Sequence, residues 1–482
     1  LLNSSVLWNH AGRKKLDNIL LRTDSYKVSH YRQYPPGSQT VYSYFESRGG
    51  RFHDVVFFGL QVLLKKYLTG QVVTRDKIEE AAEVCFAHFG DETMFNRAGW
   101  EYILNQHGGR LPLSIMTPPE GTVVPQHNAM MTVMNTDGNM PTPAYWLPNY
   151  LETLLVQTWY PCTVATQSRE MKHLLLKYLR QTGDPCLVDF KLVDFGFRGV
   201  SSVETAGMGG AGHLVNFKST DTLEGVMYAR RYYGEPMAGF SIPAAEHSTI
   251  TSWGQDNEGD ACKNMLTQYP EGLVAVVSDS YNIFEACRDI WGGVLRDQVL
   301  NRNGTLVIRP DSGDPPKIIC EILPILWDRF GGTTNDKGYK VLDDHVRIIQ
   351  GDGIDFEMLD QILYAMKREN WSADNIAFGS GGGLLQKLNR DTLKFAFKCS
   401  AIQVNGEWRD VFKNPITDHG KKSKRGRFKL LCEESPHGKN WRTVPHTHEG
   451  DDQLVEVFRD GEITFENTFA DVRQRAEPTI RL

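Results

Sequence analysis

At 482 residues, with 40% apolar and 23% charged residues, the chain is too long for one ordinary core and has the make-up of an average globular protein. A formal net charge of -6 gives no global attraction to nucleic acid or to anionic membranes, so an anionic ligand has to be held by local cations. The cysteines are scattered without a Cys-x-x-Cys pair, and no stretch approaches the roughly 18 apolar residues of a membrane span. A reducing, cytoplasmic setting is expected, with no membrane and no nucleic acid as partner.

Residues 1–19 read as a lead-in, because Arg13, Lys14, Lys15 and Asp17 are not followed by the apolar run of a secretory leader. From 20 to 180 the pattern is α+β. A strand is expected over 41–45 and helical periodicity over 58–68 and 76–84. Short strands follow at 112–115, 121–124 and 130–133, punctuated by Pro, Gly and Asn, and then one long helical region from 146 to about 179.

From 181 to 394 the rhythm changes. Seven short apolar runs each end in a polar cluster, at 193–198, 215–221, 242–247, 274–279, 306–311, 346–352 and 376–383. The spacing is that of one strand-loop-helix unit, and segments such as 355–363 supply the helices. This is the cadence of a parallel β/α barrel, whose function sits at the C-terminal ends of its strands. A doubly wound open sheet gives a similar cadence. Near Lys398 strand-like segments return, and 395–482 is expected to join the accessory domain.

The polar clusters differ in what they can do. Phe378-Gly-Ser-Gly-Gly-Gly383, followed by Leu384-Leu-Gln-Lys-Leu388, reads as strand, glycine turn and helix start, which suits a phosphate cradle or a tight turn without ligand. Arg390 offers that anion a guanidinium, or is a solvated face residue. Arg309 and Asp311 stand two apart at a strand end, so both project the same way. They supply a cation for a carbonyl or phosphate and a carboxylate for sugar hydroxyls. Asp352 lies between glycines, close to a ribose or simply in an Asp-Gly turn. Asp279, Asp194 and Arg198 add to a ring of alternating charge that suits a Mg²⁺-bound pyrophosphate. His247 is a nitrogen nucleophile, an acid/base or a structural hydrogen-bonding residue at a strand end.

Three further segments resemble motifs by letter. Gly207-Met-Gly-Gly-Ala-Gly212 lacks the buried strand that a dinucleotide fingerprint requires, and reads as a small-residue helix packed on the barrel. His446-Thr-His-Glu449 lies in a polar loop with no other ligand cluster. Lys421-Lys-Ser-Lys-Arg-Gly-Arg427 is either a nuclear signal or nucleic-acid patch, or a loop gathering substrate phosphate.

Taken together, the motifs resemble the nicotinamide phosphoribosyltransferase family, of type II phosphoribosyltransferase fold. The resemblance runs from Thr23-Asp-Ser-Tyr-Lys-Val28 and Tyr42-Ser-Tyr-Phe-Glu46 through Asp194-Phe-Gly, Arg198-Gly-Val-Ser-Ser, Thr220-Asp-Thr and Pro243-Ala-Ala-Glu-His-Ser-Thr. It continues in Ile308-Arg-Pro-Asp-Ser-Gly, Gln350-Gly-Asp-Gly and 377–388, into Ser423 to Arg427. It implies an irregular parallel β/α barrel with an α+β accessory domain, and a homodimer with shared active sites. Nicotinamide would stack between Phe195 and Tyr26 of the partner subunit, with Asp221 accepting from the carboxamide and Arg309 fixing it. Asp311, Gly351 and Asp352 would hold the ribose of phosphoribosyl pyrophosphate. Gly381 and Gly382, with Arg390 of the partner subunit, would hold its 5′-phosphate. Arg198 and His247 would meet the pyrophosphate, with Mg²⁺ held mainly through it. The resemblance also implies that ATP phosphorylates His247, whose ring Asp279 orients. Val193 and Phe197 depart from the family pattern, which has His and Tyr there.

Overall fold

The computed structural model describes residues 17–417, 422–435 and 438–478. Most of the lead-in and Lys421 of the basic run lie outside the described residues. Short runs that are buried on both faces pair in parallel, in the order Ser219–Thr220, Leu192–Asp194, Ile376–Ser380, Val346–Gln350, Leu306–Arg309 and Val274–Val277. The two edges of this sheet meet on one segment, 240–245. The Phe240 amide donates to the Lys218 carbonyl at 2.8 Å and its own carbonyl accepts from Thr220 at 3.0 Å. On the other side the Ala245 amide donates to Ala275, and the Ala275 amide to Pro243, both at 2.9 Å. The sheet is therefore a closed barrel of seven members, not an open sheet, and each of the seven apolar runs supplies one of them. Pro243 lacks an amide donor, which explains why this seventh member makes isolated bridges and no regular ladder.

The barrel's two faces bury different residues. Val193, Ile242, Ala275, Val307, Ile349 and Ala377 face its interior. Leu192, Val276, Ile308, Ile348, Ile376 and Phe378 pack outward against the helices Trp159–Thr182, Pro315–Phe330 and Phe356–Arg368, each such side chain contributing about 1.5–3 kcal/mol. Asp355 caps the last of these helices, its carboxylate accepting from the Met358 amide at 3.0 Å.

The second sheet is antiparallel, in the order Glu407–Asp410, Phe395–Val404, Ser38–Ser47, Ala129–Asn135, Leu113–Thr117, Val455–Arg459 and Glu462–Ile463. Strands from both ends of the chain thus alternate with neighbours distant in sequence, as in the pairing of Tyr44 with Lys398. The helical region expected over 146–179 is made of Leu147–Tyr150, Glu152–Leu155, the turn Val156–Thr158 and Trp159–Thr182. Pro148 and Pro161 have no amide to give and are tolerated only in a first turn, so each marks a new start. The run 215–221 yields only two strand residues, since the helix before it extends to Leu214. That helix, Val203–Leu214, carries the glycine series of 207–212. A Cβ at Gly207 would strike the Tyr228 ring at 2.2 Å, and one at Gly210 would meet the Gly225 backbone at 2.9 Å, so the glycines serve close helix packing. Among the described residues no helix is long and apolar enough to cross a membrane.

Candidate active site

The strand Leu192–Asp194 delivers Asp194 and Phe195 to the barrel mouth. Asp194 is fully buried. Its Oδ1 accepts from the Gly196 amide at 2.7 Å, and its carbonyl accepts from the Asp221 amide at 3.0 Å, tying two neighbouring strand ends together. Burial pushes this carboxyl up to about 7; Asp221 adds to the rise, while bonds from Gly196 and Thr222 oppose it. Phe195 rests on glycine backbone. A Cβ at Gly379 would lie 1.9 Å from its ring, and one at Gly351 would lie 3.1 Å away, so only glycine at 379 lets the ring sit this deep. The Arg309 guanidinium lies 5.4 Å from the ring centroid.

Arg309 leads into a chain of charged contacts. Its Nε and Nη2 donate to Asp311 Oδ1 at 3.0 and 2.7 Å. Asp311 Oδ2 stands 4.0 Å from His247 Nδ1, and His247 Nε2 is 3.0 Å from Asp279 Oδ1. His247 thus lies between two carboxylates, one on each ring nitrogen. The Asp279 side chain is 5% exposed while that of His247 is 48% exposed, so a buried anion holds a ring that faces solvent. Such a ring can hold a proton beside a phosphate or present a nitrogen to one.

Asp221 is exposed, and the Ser241 hydroxyl donates to its Oδ1, which leaves Oδ2 for an outside donor. Arg198 and Asp352 are also exposed at the mouth, Arg198 in the turn Phe197–Gly199 and Asp352 beside Gly353 with φ +64°.

In the glycine turn every carbonyl from Gly381 to Leu385 is engaged. The Gly381 carbonyl accepts from Leu384 and Leu385, and that of Gly382 from Gln386 and Lys387. Gln167 Nε2 donates to Gly383 at 2.8 Å and the Tyr160 hydroxyl to Leu385 at 2.9 Å, with Leu384 3.4 Å from Gln167. The amides of Gly382 and Gly383 have no acceptor among the described residues, and a Cβ at Gly382 would meet open space. Tyr160 and Gln167, which sequence reasoning passed over, both come from the helix Trp159–Thr182. Their only signal was polarity at positions that the helical period makes inward-facing.

Comparison with known proteins settles the family. Residues 190–462 match the model of the nicotinate phosphoribosyltransferase (NAPRTase) family, and 18–115 that of the nicotinamide phosphoribosyltransferase N-terminal domain. A nicotinamide phosphoribosyltransferase of Xanthomonas campestris is 50% identical over 472 residues, covering 96% of this chain and 98% of its own. The chain belongs to the nicotinamide phosphoribosyltransferase family. It is a pentosyltransferase. A relative of the same description from Acinetobacter baylyi is 34% identical, covering 95% of this chain and 97% of its own. Among solved structures, nicotinate-nucleotide pyrophosphorylase from Pyrococcus furiosus superposes with a TM-score of 0.58 at 15% identity, over 98% of this chain and 97% of that one. Human nicotinic acid phosphoribosyltransferase gives 0.54 at 15% identity, over 94% and 92%. These two support the type II fold.

Two residues implied by the resemblance stand apart from the contact chain at the mouth. Tyr26, 59% exposed, meets the edge of His30 in a segment docked on Glu152 through Lys27. Arg390 opens the turn Arg390–Thr392, with its guanidinium 3.9 Å from Asp391. His446 pairs with Arg427, and among the described residues no group of three or more His, Cys, Asp or Glu is arranged to hold a metal ion.

Proposed function

We propose that the chain joins nicotinamide to 5-phosphoribosyl 1-pyrophosphate, giving nicotinamide mononucleotide and pyrophosphate in NAD salvage. The observation that carries this reading is the free Asp221 Oδ2 at a mouth whose floor is Phe195, in a chain half identical to a nicotinamide enzyme over nearly its whole length. A carboxylate accepts from a carboxamide NH₂ and repels the carboxylate of nicotinate. Phe195 and Arg309 position the ring, and the free amides of Gly382 and Gly383 receive the 5′-phosphate. As the C1–O bond breaks, pyrophosphate leaves with the bonding pair and the pyridine nitrogen supplies the electrons of the new N–C1 bond. Arg198 and His247 stabilise the departing charge. Asp279 and Asp311 are engaged by His247 and Arg309, so Mg²⁺ would be held mainly through the substrate and would supply charge neutralisation there.

The exposed Tyr26 and Arg390, both apart from the contact chain at the mouth, support a homodimer in which each chain completes the other's site. ATP stimulation through phosphorylation of His247 is part of the same proposal, supported by its exposed ring between two carboxylates. Labelled nicotinamide with phosphoribosyl pyrophosphate and Mg²⁺ should give mononucleotide, and nicotinate much less; the reverse preference would overturn the reading. γ-Labelled ATP should leave an acid-labile, base-stable label on the wild type and on His446→Ala but not on His247→Ala. Equal labelling of the His247 variant would refute the phosphohistidine.

A further inference from the structure

The basic run 421–427 reads in sequence as either a signal or a phosphate loop, and its side chains prove to have different surroundings. Glu46, in the strand Ser38–Ser47, has a side chain only 3% exposed. Its Oε1 accepts from Arg48 Nε at 2.8 Å and from the Tyr44 hydroxyl at 3.3 Å, and its Oε2 accepts from Lys424 Nζ. The Tyr44 oxygen in turn accepts from the Lys424 amide at 2.9 Å. Ser423 and Lys413 exchange two bonds, the Ser423 amide donating to the Lys413 carbonyl at 3.1 Å and the Lys413 amide to Ser423 Oγ at 3.0 Å. The Gly426 amide donates to the Ser400 carbonyl and the Ser400 hydroxyl to the Gly426 carbonyl, at 2.8 Å each. Arg427 lies 4.3 Å over the Trp408 ring.

The segment is therefore fastened to the sheet at Ser423, Lys424, Gly426 and Arg427, which a signal read as a free extended peptide cannot be. Lys424 and Arg427 are consumed in holding it there. Lys422 and Arg425 remain exposed, and with Phe412, Asn414, Ser423 and Lys424 they line a cavity of about 450 Å³. On the neighbouring strand the Lys398 ammonium is lowered from its ordinary range, first by burial and then by Arg48, Lys413 and Arg390, with Glu152 opposing. Cations crowded in this way are relieved by an anion.

We propose that Glu46 is a positioning residue for a polyphosphate platform: by locking Lys424 into the sheet it sets Lys422 and Arg425 at the cavity rim to meet substrate phosphates. This rests on the phosphoribosyl-transfer reading above and assigns the cationic contacts within it. Lys424 itself is a strut and not a ligand.

The test uses the full chain and two readouts, initial rates and calorimetric binding of inorganic pyrophosphate. Lys422→Met and Arg425→Met should each raise the KM for phosphoribosyl pyrophosphate about 5- to 10-fold, leave the KM for nicotinamide and the Tm in place, and weaken pyrophosphate binding similarly. Glu46→Gln and Lys424→Met should each reproduce the KM rise, and the double variant should be no worse than either single, because both act through one pair. If Glu46→Gln does not fold, Tyr44→Phe removes only the hydroxyl under the Lys424 amide and should give the same split at smaller size. The proposal is overturned if Lys424→Met raises the KM while Glu46→Gln and Tyr44→Phe do not, since Lys424 would then meet the substrate itself. It is also overturned if Lys422→Met with Arg425→Met changes neither KM nor pyrophosphate affinity, and an accompanying loss of nucleic-acid binding would return the run to its other reading. A wild type without turnover would defeat the proposed reaction, while pyrophosphate affinity would still decide the platform.

Discussion

If Asp221 selects nicotinamide as proposed, replacing it by Asn should give a site that accepts both pyridines. The Ser241 hydroxyl occupies Oδ1, so one oxygen, Oδ2, is left to read the ring substituent. Against the carboxamide, Asn keeps a neutral acceptor in place of a charged one, a loss of about 1 kcal/mol. Against nicotinate, it removes a repulsion between two carboxylates, worth about 4 kcal/mol at 4 Å with an effective dielectric of 20 and about 1 kcal/mol in bulk water. Asp221 is exposed, so a value near the middle, about 2 kcal/mol, applies. The two effects add to about 3 kcal/mol in the ratio of kcat/KM for the two substrates, roughly a 100-fold shift toward nicotinate. Competition assays with both labelled pyridines would measure it directly. A ratio that moves less than about threefold, with the variant folded, would show that Asp221 does not read the substituent and would remove the main argument for substrate choice.

Three other outcomes follow from the geometry. Gly379→Ala places a methyl 1.9 Å from Cε2 of Phe195, so the ring must move; kcat/KM should fall about 10- to 100-fold, with about 1–3 kcal/mol of stability lost, and wild-type kinetics would contradict the described ring position. Gln167→Leu bares the Gly383 carbonyl and should raise the KM for phosphoribosyl pyrophosphate about fivefold while sparing that for nicotinamide; equal rises in both would point to general loosening of the barrel. Asp194 and His213 should shape the pH dependence of stability in opposite senses. The folded carboxyl of Asp194 is raised from 3.8 to about 7, so its contribution is full below 3.8 and lost as pH rises to about 7; His213 is lowered from 6.5 to about 4, so its contribution is full above 6.5 and lost as pH falls to about 4. Asp194→Asn should therefore gain about 4 kcal/mol near pH 8 in denaturant unfolding and nothing near pH 4, and a gain independent of pH would refute the buried charge.

The strands of the barrel were legible because each is short, apolar and ended by polar residues, a pattern complete within a few positions. The helical region over 146–179 was legible as well, but its interruptions were not. Its apolar period continues across Pro148 and Pro161, which mark the starts of the first and last pieces, while no residue of this kind marks the starts at Glu152 and Val156. Closure of the sheet could not be read at all, since it depends on 240–245 bridging two strands whose separation in space no local pattern encodes.

The mouth divides along the same line. Arg309 and Asp311 were found as a pair because two residues on one strand end must project together, and they prove to bond each other. His247 could be placed at a strand end but not between Asp279 and Asp311, which arrive from two other strands. What holds these groups lies further off still. Gln167 and Tyr160 reach the glycine turn from a helix more than two hundred positions earlier, and Gly379 makes room for a ring from the opposite end of the barrel segment. A reacting group advertises itself by its chemistry, whereas a supporting group is an ordinary amide, hydroxyl or missing methyl whose importance is created only by what the fold sets against it. That asymmetry explains why substitutions at Gly379 or Gln167 test the assignment more sharply than another change at His247: they perturb the arrangement while leaving every proposed reacting group in place.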